Sequence, residues 1–169
     1  IWRAYFVEPF LVYMLIVDIC VTAKDRQRLI TDLGMTVLGL TAIADIQRLT
    51  GWWSPTWEWT LPGSRRVTGL FTSPNALGLF VVPVAMLHLS QVLQVLKRRI
   101  KPIRLSGQEW FSVAVVLASL VCVWLAVSRG AMIAFAAATI FLIYKQWSKK
   151  AALAVALALT LVLLVVPHM

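Results

Sequence analysis

Six apolar runs, separated by short segments rich in Lys and Arg, constrain this chain more than any other feature. They occupy residues 4–21, 33–49, 75–96, 110–127, 131–144 and 151–166. Each approaches the roughly 20 residues that an α-helix needs to cross about 30 Å of hydrocarbon. A soluble core cannot use so many helices that are apolar all round. Composition agrees: 60% of the 169 residues are hydrophobic and 14% are charged, whereas a soluble domain has about 45–50% and about 25%. The membrane is therefore the solvent. The expected fold is all-α, a polytopic integral membrane helical bundle of about six transmembrane helices, forming a single transmembrane domain over 1–169.

Geometry separates the fourth run from the fifth. Residues 110–147 as one helix would measure roughly 57 Å at 1.5 Å per residue, nearly twice the hydrocarbon thickness, with Arg129 carried through its middle. A tight turn at Ser128-Arg129-Gly130 removes both difficulties, because Gly accepts the helix-ending conformation.

The net charge is +9, from 16 Lys and Arg against seven Asp and Glu. In a soluble protein such an excess points to nucleic acid. Here most of it lies in short loops, where it sets topology. One set of alternate loops holds Lys24, Arg26, Arg28, Lys97, Arg98, Arg99, Lys101, Arg104, Lys145, Lys149 and Lys150; the other holds Arg3, Arg65, Arg66 and Arg129, with Arg48 near the end of the second run. The first set is expected on the cytoplasmic side, so both termini and the long 50–74 loop lie outside. No signal-peptide pattern follows Ile1. The chain stops at Pro167-His168-Met169 directly after an apolar run, which reads as a fragment of a longer membrane protein. Cys20 and Cys122 fall inside apolar runs and read as small packing residues.

The external arginines stand in an informative neighbourhood. Arg66 precedes Val67-Thr68-Gly69-Leu70-Phe71-Thr72-Ser73-Pro74-Asn75-Ala76-Leu77-Gly78, a Gly- and Pro-punctuated lead-in to the third helix, and Arg129 lies in the turn expected on the same side. Two guanidinium groups near one membrane surface make an anion site, since Arg grips phosphate oxygens in a bidentate fork; snorkelling to headgroups is the plainer reading. Asn75 reads first as a helix cap and second as a hydrogen-bond partner of a ligand. Trp52, Trp53, Trp57 and Trp59 suit the membrane interface and can also stack on sugar rings. Glu8, Asp18 and Asp45 fall in apolar runs, where charge is costly and often functional. His88 is expected to make an interhelical hydrogen bond, and His168 carries little weight. No Cys/His/Asp/Glu spacing suggests a metal, no Gly-rich phosphate loop follows a strand, and no nucleophile elbow is present.

The Arg66-to-Gly78 segment resembles a signature of the O-antigen ligase and O-antigen polymerase superfamily, bacterial membrane glycan transferases: Arg, Gly, an aromatic, then Pro-Asn and a small residue at a helix start. Ser128-Arg129-Gly130-Ala131, between two closely connected helices, looks like the family's second signature. The resemblance spans nearly the whole chain. It implies transfer of a glycan from an undecaprenyl-pyrophosphate carrier to an acceptor hydroxyl outside the cytoplasm, without metal or other cofactor. It also implies a bacterial inner membrane location and a role in lipopolysaccharide or other cell-surface polysaccharide biosynthesis.

On that resemblance Arg66 and Arg129 bind the pyrophosphate and stabilise its charge as it leaves, with Arg65, Asn75 and Ser128 in support. The partners implied are a lipid-linked oligosaccharide donor, a glycan or lipid acceptor and membrane lipids, with no nucleic acid. Family members carry a further external loop with a proposed catalytic His after a helix like the sixth, so no general base is assigned. A transporter or flippase for a lipid-linked or small anionic solute is the competing expectation. It calls for interrupted helices in related halves; Pro83 lies in the third run, with no counterpart in another half. A structural subunit without chemistry is a third, and it leaves the external arginines unexplained.

Overall fold

In a computed structural model the described residues are 7–61, 65–98 and 105–165. Among them every regular element is helical. In chain order these are α1 (Glu8–Ile19), α2 (Ala23–Thr50), a 3-10 turn (Trp57–Thr60), α3 (Pro74–Arg98), α4 (Gly107–Ala126), α5 (Arg129–Gln146) and α6 (Lys149–Val165). The six apolar runs thus appear as six helices. Three of them, α2, α3 and α4, are long and apolar enough to cross a membrane. The other three are shorter, at 12, 18 and 17 residues.

The chain divides into two compact units, 1–33 and 34–169. In the first, α1 is apolar on every side, and Phe10, Leu11, Tyr13, Leu15 and Val17 are all exposed. The start of α2 is set by a reciprocal cap: the hydroxyl of Thr22 accepts from the Asp25 N–H at 3.2 Å, while the Asp25 carboxylate accepts from the Thr22 N–H at 3.0 Å. That cap begins the helix ten residues before the apolar run at 33. Lys24, Arg26 and Arg28, expected in a loop, therefore lie in the first turns of α2.

In the second unit α3 and α4 form a long antiparallel pair, α5 packs along α3, and α6 returns along α5. Leu77, Val81, Val84 and Ala85 of α3 and Val115, Cys122 and Ala126 of α4 are buried. Buried with them are Thr41, Ser112, Ser119 and His88, while Leu79, Leu117, Ile133 and Phe141 are exposed. Large apolar residues outside with small and polar residues inside is the pattern of helices in lipid, where close packing and hydrogen bonds replace the hydrophobic drive. Cys122 is a buried packing residue as expected; Cys20 is half-buried at the end of α1. His88 makes the expected interhelical bond, its Nδ1 lying 3.1 Å from Ser112 Oγ.

Small residues set the helix spacing. At Gly78 a Cβ would come within 2.5 Å of the Ala131 Cβ, so α3 and α5 touch at their first turns. At Gly34 a Cβ would meet the His88 ring at 2.6 Å and Phe111 at 3.0 Å.

Candidate functional site

The end of α2 and the starts of α3 and α5 meet the end of α4 at one side of the second unit. Residues 65–73 run between them, and Arg65, Arg66 and Ser73 of that stretch bind helix ends through their side chains. Lys97, Lys145, Lys149 and Lys150 stand at the far ends of α3, α5 and α6, at the opposite side.

Gln47, buried in the last turns of α2, holds the stretch in place. Its Oε1 accepts from the backbone N–H groups of Thr68 and Gly69, both at 3.0 Å. Its Nε2 donates to the Gly69 carbonyl at 2.9 Å and to the Trp53 carbonyl at 3.2 Å. Buried backbone groups need such partners where water cannot reach them. Gly69 itself has φ +59, and a Cβ there would sit 3.2 Å from Leu77 and 3.3 Å from Leu40. Only glycine suits both the left-handed backbone and the space.

The arginines of this region are held in different ways. Arg65 donates to the last carbonyls of α2, Arg48 at 2.9 Å and Leu49 at 2.7 Å, and the Arg48 guanidinium donates back to the Arg65 carbonyl. Arg65, expected to support the anion site, is thus directed to a helix end that welcomes a cation. Arg66 is half-buried. It donates through Nε to the Ala126 carbonyl at 3.3 Å and through a terminal nitrogen to the Val127 carbonyl at 3.0 Å. Its guanidinium carbon lies 5.9 Å from the centre of the Trp59 ring, within cation–π range. A guanidinium has five N–H groups, so these two bonds, the ones Arg66 makes among the described residues, leave it with three.

Arg66 therefore binds the turn that leads into α5, whose first residue is the exposed Arg129. The expectation that Gly130 ends the fourth helix is overturned. Gly130 lies inside α5 with open space around it. The left-handed residue is Val127, at φ 49 and ψ 40. A β-branched residue is strained there, and the Arg66 bond to its carbonyl supplies what the turn chemistry lacks.

Ser128 caps α5, accepting from the Ala131 N–H at 3.4 Å, and its hydroxyl donates to Asn75 Oδ1 at 2.9 Å. The capping role expected of Asn75 belongs instead to Ser73, whose Oγ accepts from the Ala76 N–H at 3.2 Å. Pro74 follows as the first helical residue, where its missing N–H costs nothing. Asn75 is exposed and stays available to the surface.

Arg66, Asn75, Ser128 and Arg129 thus gather around the junction of α3, α4 and α5. Since α3 and α5 both start here, the positive ends of two helix dipoles lie side by side with Arg129 on one of them. A cation at a helix start opposes the dipole, and an anion near both relieves the field. Trp52, Trp53 and Trp57 are each about two-thirds exposed, at 66%, 68% and 69%, along the loop that Gln47 anchors.

Gln47 escaped the sequence reading, although a carboxamide three residues before the end of an apolar helix is itself a signal. Asp45, singled out for its charge, is exposed. Arg3, Arg99 and His168 lie outside the described residues. Among the described residues no group of three His, Cys, Asp or Glu side chains is placed to hold a metal ion. No protein-family model, curated protein or solved structure matches the chain.

Proposed function

We propose that this chain is the membrane part of a glycan ligase or polymerase. It moves a glycan from an undecaprenyl-pyrophosphate carrier to an acceptor hydroxyl at the outer face of the bacterial cytoplasmic membrane, in cell-surface polysaccharide assembly. Six helices cross the membrane in this reading, with the Arg66 end outward. The observation that carries it is the gathering of Arg66, Asn75 and Arg129 at two adjacent helix starts.

The chemistry is a displacement at the anomeric carbon. The acceptor oxygen forms a bond to that carbon as the bond to the pyrophosphate oxygen breaks, and the carrier leaves as an anion. Fixed donors aimed at a leaving anion lower the barrier most. The three further N–H groups of Arg66 and the guanidinium of Arg129 are suited to that charge. The hydroxyl proton passes to a base that this reading leaves unassigned. The transporter alternative gains nothing here, because α3 runs unbroken through Pro83.

The test is conservative substitution in the intact protein. Arg129→Lys keeps the charge but loses the fork, and transfer should fall roughly a hundredfold, as for the loss of one oxyanion donor, with insertion unchanged. Arg66→Lys should show at least as large a loss, since it also releases the α4 end. Arg28→Lys should be silent. Normal transfer by both Arg129→Lys and Arg66→Lys removes the proposal.

A further inference from the structure

Asn75 is exposed at the second position of α3, and a buried hydroxyl sets its orientation. Ser128 is 2% exposed. A serine hydroxyl has one proton and two lone pairs. Ser128 spends a lone pair on the Ala131 N–H and gives its proton to Asn75 Oδ1 at 2.9 Å. With its oxygen held this way, the carboxamide cannot roll over without leaving the Ser128 proton unpaired in a buried place. The NH2 group is therefore turned away from Ser128, and among the described residues no hydrogen bond takes it up.

We infer that Asn75 is a ligand-binding residue that offers this NH2 to the anion received by Arg66 and Arg129, with Ser128 as the positioning residue that fixes its direction. The inference rests on the anion reading above and deepens it. Arginine charges attract any anion, whereas a neutral donor in a fixed direction selects a pose. The ligand is a pyrophosphate group, whose adjacent phosphates can meet a guanidinium and an amide together.

Asn75→Asp is the discriminating variant. It keeps the size and still accepts the Ser128 proton, so the fold below it is preserved. Near the start of a helix a carboxylate is also favourable, so thermal stability should hold or rise. The variant nevertheless turns a carboxylate oxygen toward the ligand in place of the NH2. A merely structural Asn75 would tolerate this change; a donor would not.

The measurement is calorimetric titration of inorganic pyrophosphate into the intact protein in phosphatidylcholine nanodiscs. Asn75→Asp should weaken binding by about tenfold or more and Asn75→Ala by less, the scale of one hydrogen bond to a charged group. Ser128→Ala should weaken binding and also lower the melting temperature, because it removes the α5 cap. Discs containing phosphatidylglycerol form a second arm: unchanged pyrophosphate affinity supports a pyrophosphate ligand, and its loss assigns the site to headgroup phosphates and overturns that part of the inference. If Arg66→Lys and Arg129→Lys weaken binding while Asn75→Asp does not, the role of Asn75 is overturned and the anion reading stands. If the unsubstituted protein does not bind pyrophosphate, both fall.

Discussion

The two ends of the 34–169 unit handle buried polarity in opposite ways. At the Arg66 end most of these side chains bind backbone: Gln47 holds the Thr68 and Gly69 amides, Arg65 holds the end of α2, and Arg66 holds the end of α4, while Ser128 also meets Asn75 across helices. At the other end, side chains bind one another across helices. His88 meets Ser112, Ser112 donates to Gln91 at 3.0 Å, and Gln146 donates to Ser90 at 2.6 Å. These bonds tie α3 to α4 and α5 without fixing any loop. One atom of the second set, Gln146 Oε1, is buried without a partner among the described residues. Fully satisfied polar networks rigidify and specify a geometry, so the Arg66 end is built to hold a shape and the other end to join helices.

The sharpest way to break this comparison is at Gln47. Gln47→Leu leaves two backbone N–H groups and two carbonyls without this partner, at about 1–3 kcal/mol for each group orphaned in a buried place. Chemical denaturation should show a loss of several kcal/mol, and limited proteolysis should cut within 51–73. A cost below about 1 kcal/mol would mean that the loop is held by something else. Next in size are the glycines. Gly78→Ala puts a Cβ against the Ala131 Cβ with helix backbone behind it and should cost about 1–3 kcal/mol. Gly34→Ala meets the His88 and Phe111 rings, side-chain atoms rather than a Cβ fixed on helix backbone, and should cost less in the same thermal melt. Equal losses would show both ends to be equally stiff.

Two smaller effects sharpen the contrast. Val127→Gly relieves a left-handed β-branched residue, worth about 1–2 kcal/mol of strain, against about 0.5–1 kcal/mol for the added freedom of glycine. The melting temperature should rise slightly while Arg66 keeps its carbonyl partner. Gln146→Met removes an unpaired oxygen together with one hydrogen bond and should change stability by less than about 0.5 kcal/mol. A large loss there would show that the far end is also a specified network.

Much of the fold was legible because its cause is local. The apolar runs from 75 onward match α3, α4, α5 and α6 within two or three residues, since hydropathy marks apolar helical lengths directly. The start of α2 was missed because a Thr22–Asp25 cap, not hydropathy, begins that helix. The turn before α5 was misread for a different reason. Glycine is the usual helix-ending residue, but here a side chain 61 positions earlier in sequence steadies a strained Val127 instead. The same distance hid the Asn75–Ser128 bond, 53 positions apart. That Arg66 and Arg129 share an end followed from counting crossings; which donors each one commits to helix carbonyls did not.

The Gly78–Ala131 contact has a thermal consequence. Where lipid surrounds the helices, closing this seam releases no water, and dispersion between nearly touching backbones holds it. Such a contact carries little change in heat capacity, because that signature belongs to apolar surface leaving water. Water-driven cores weaken on cooling; a seam enclosed in lipid keeps its strength. The spacing between the helix starts that bear Asn75 and Arg129 is therefore expected to stay constant from cold to warm growth conditions.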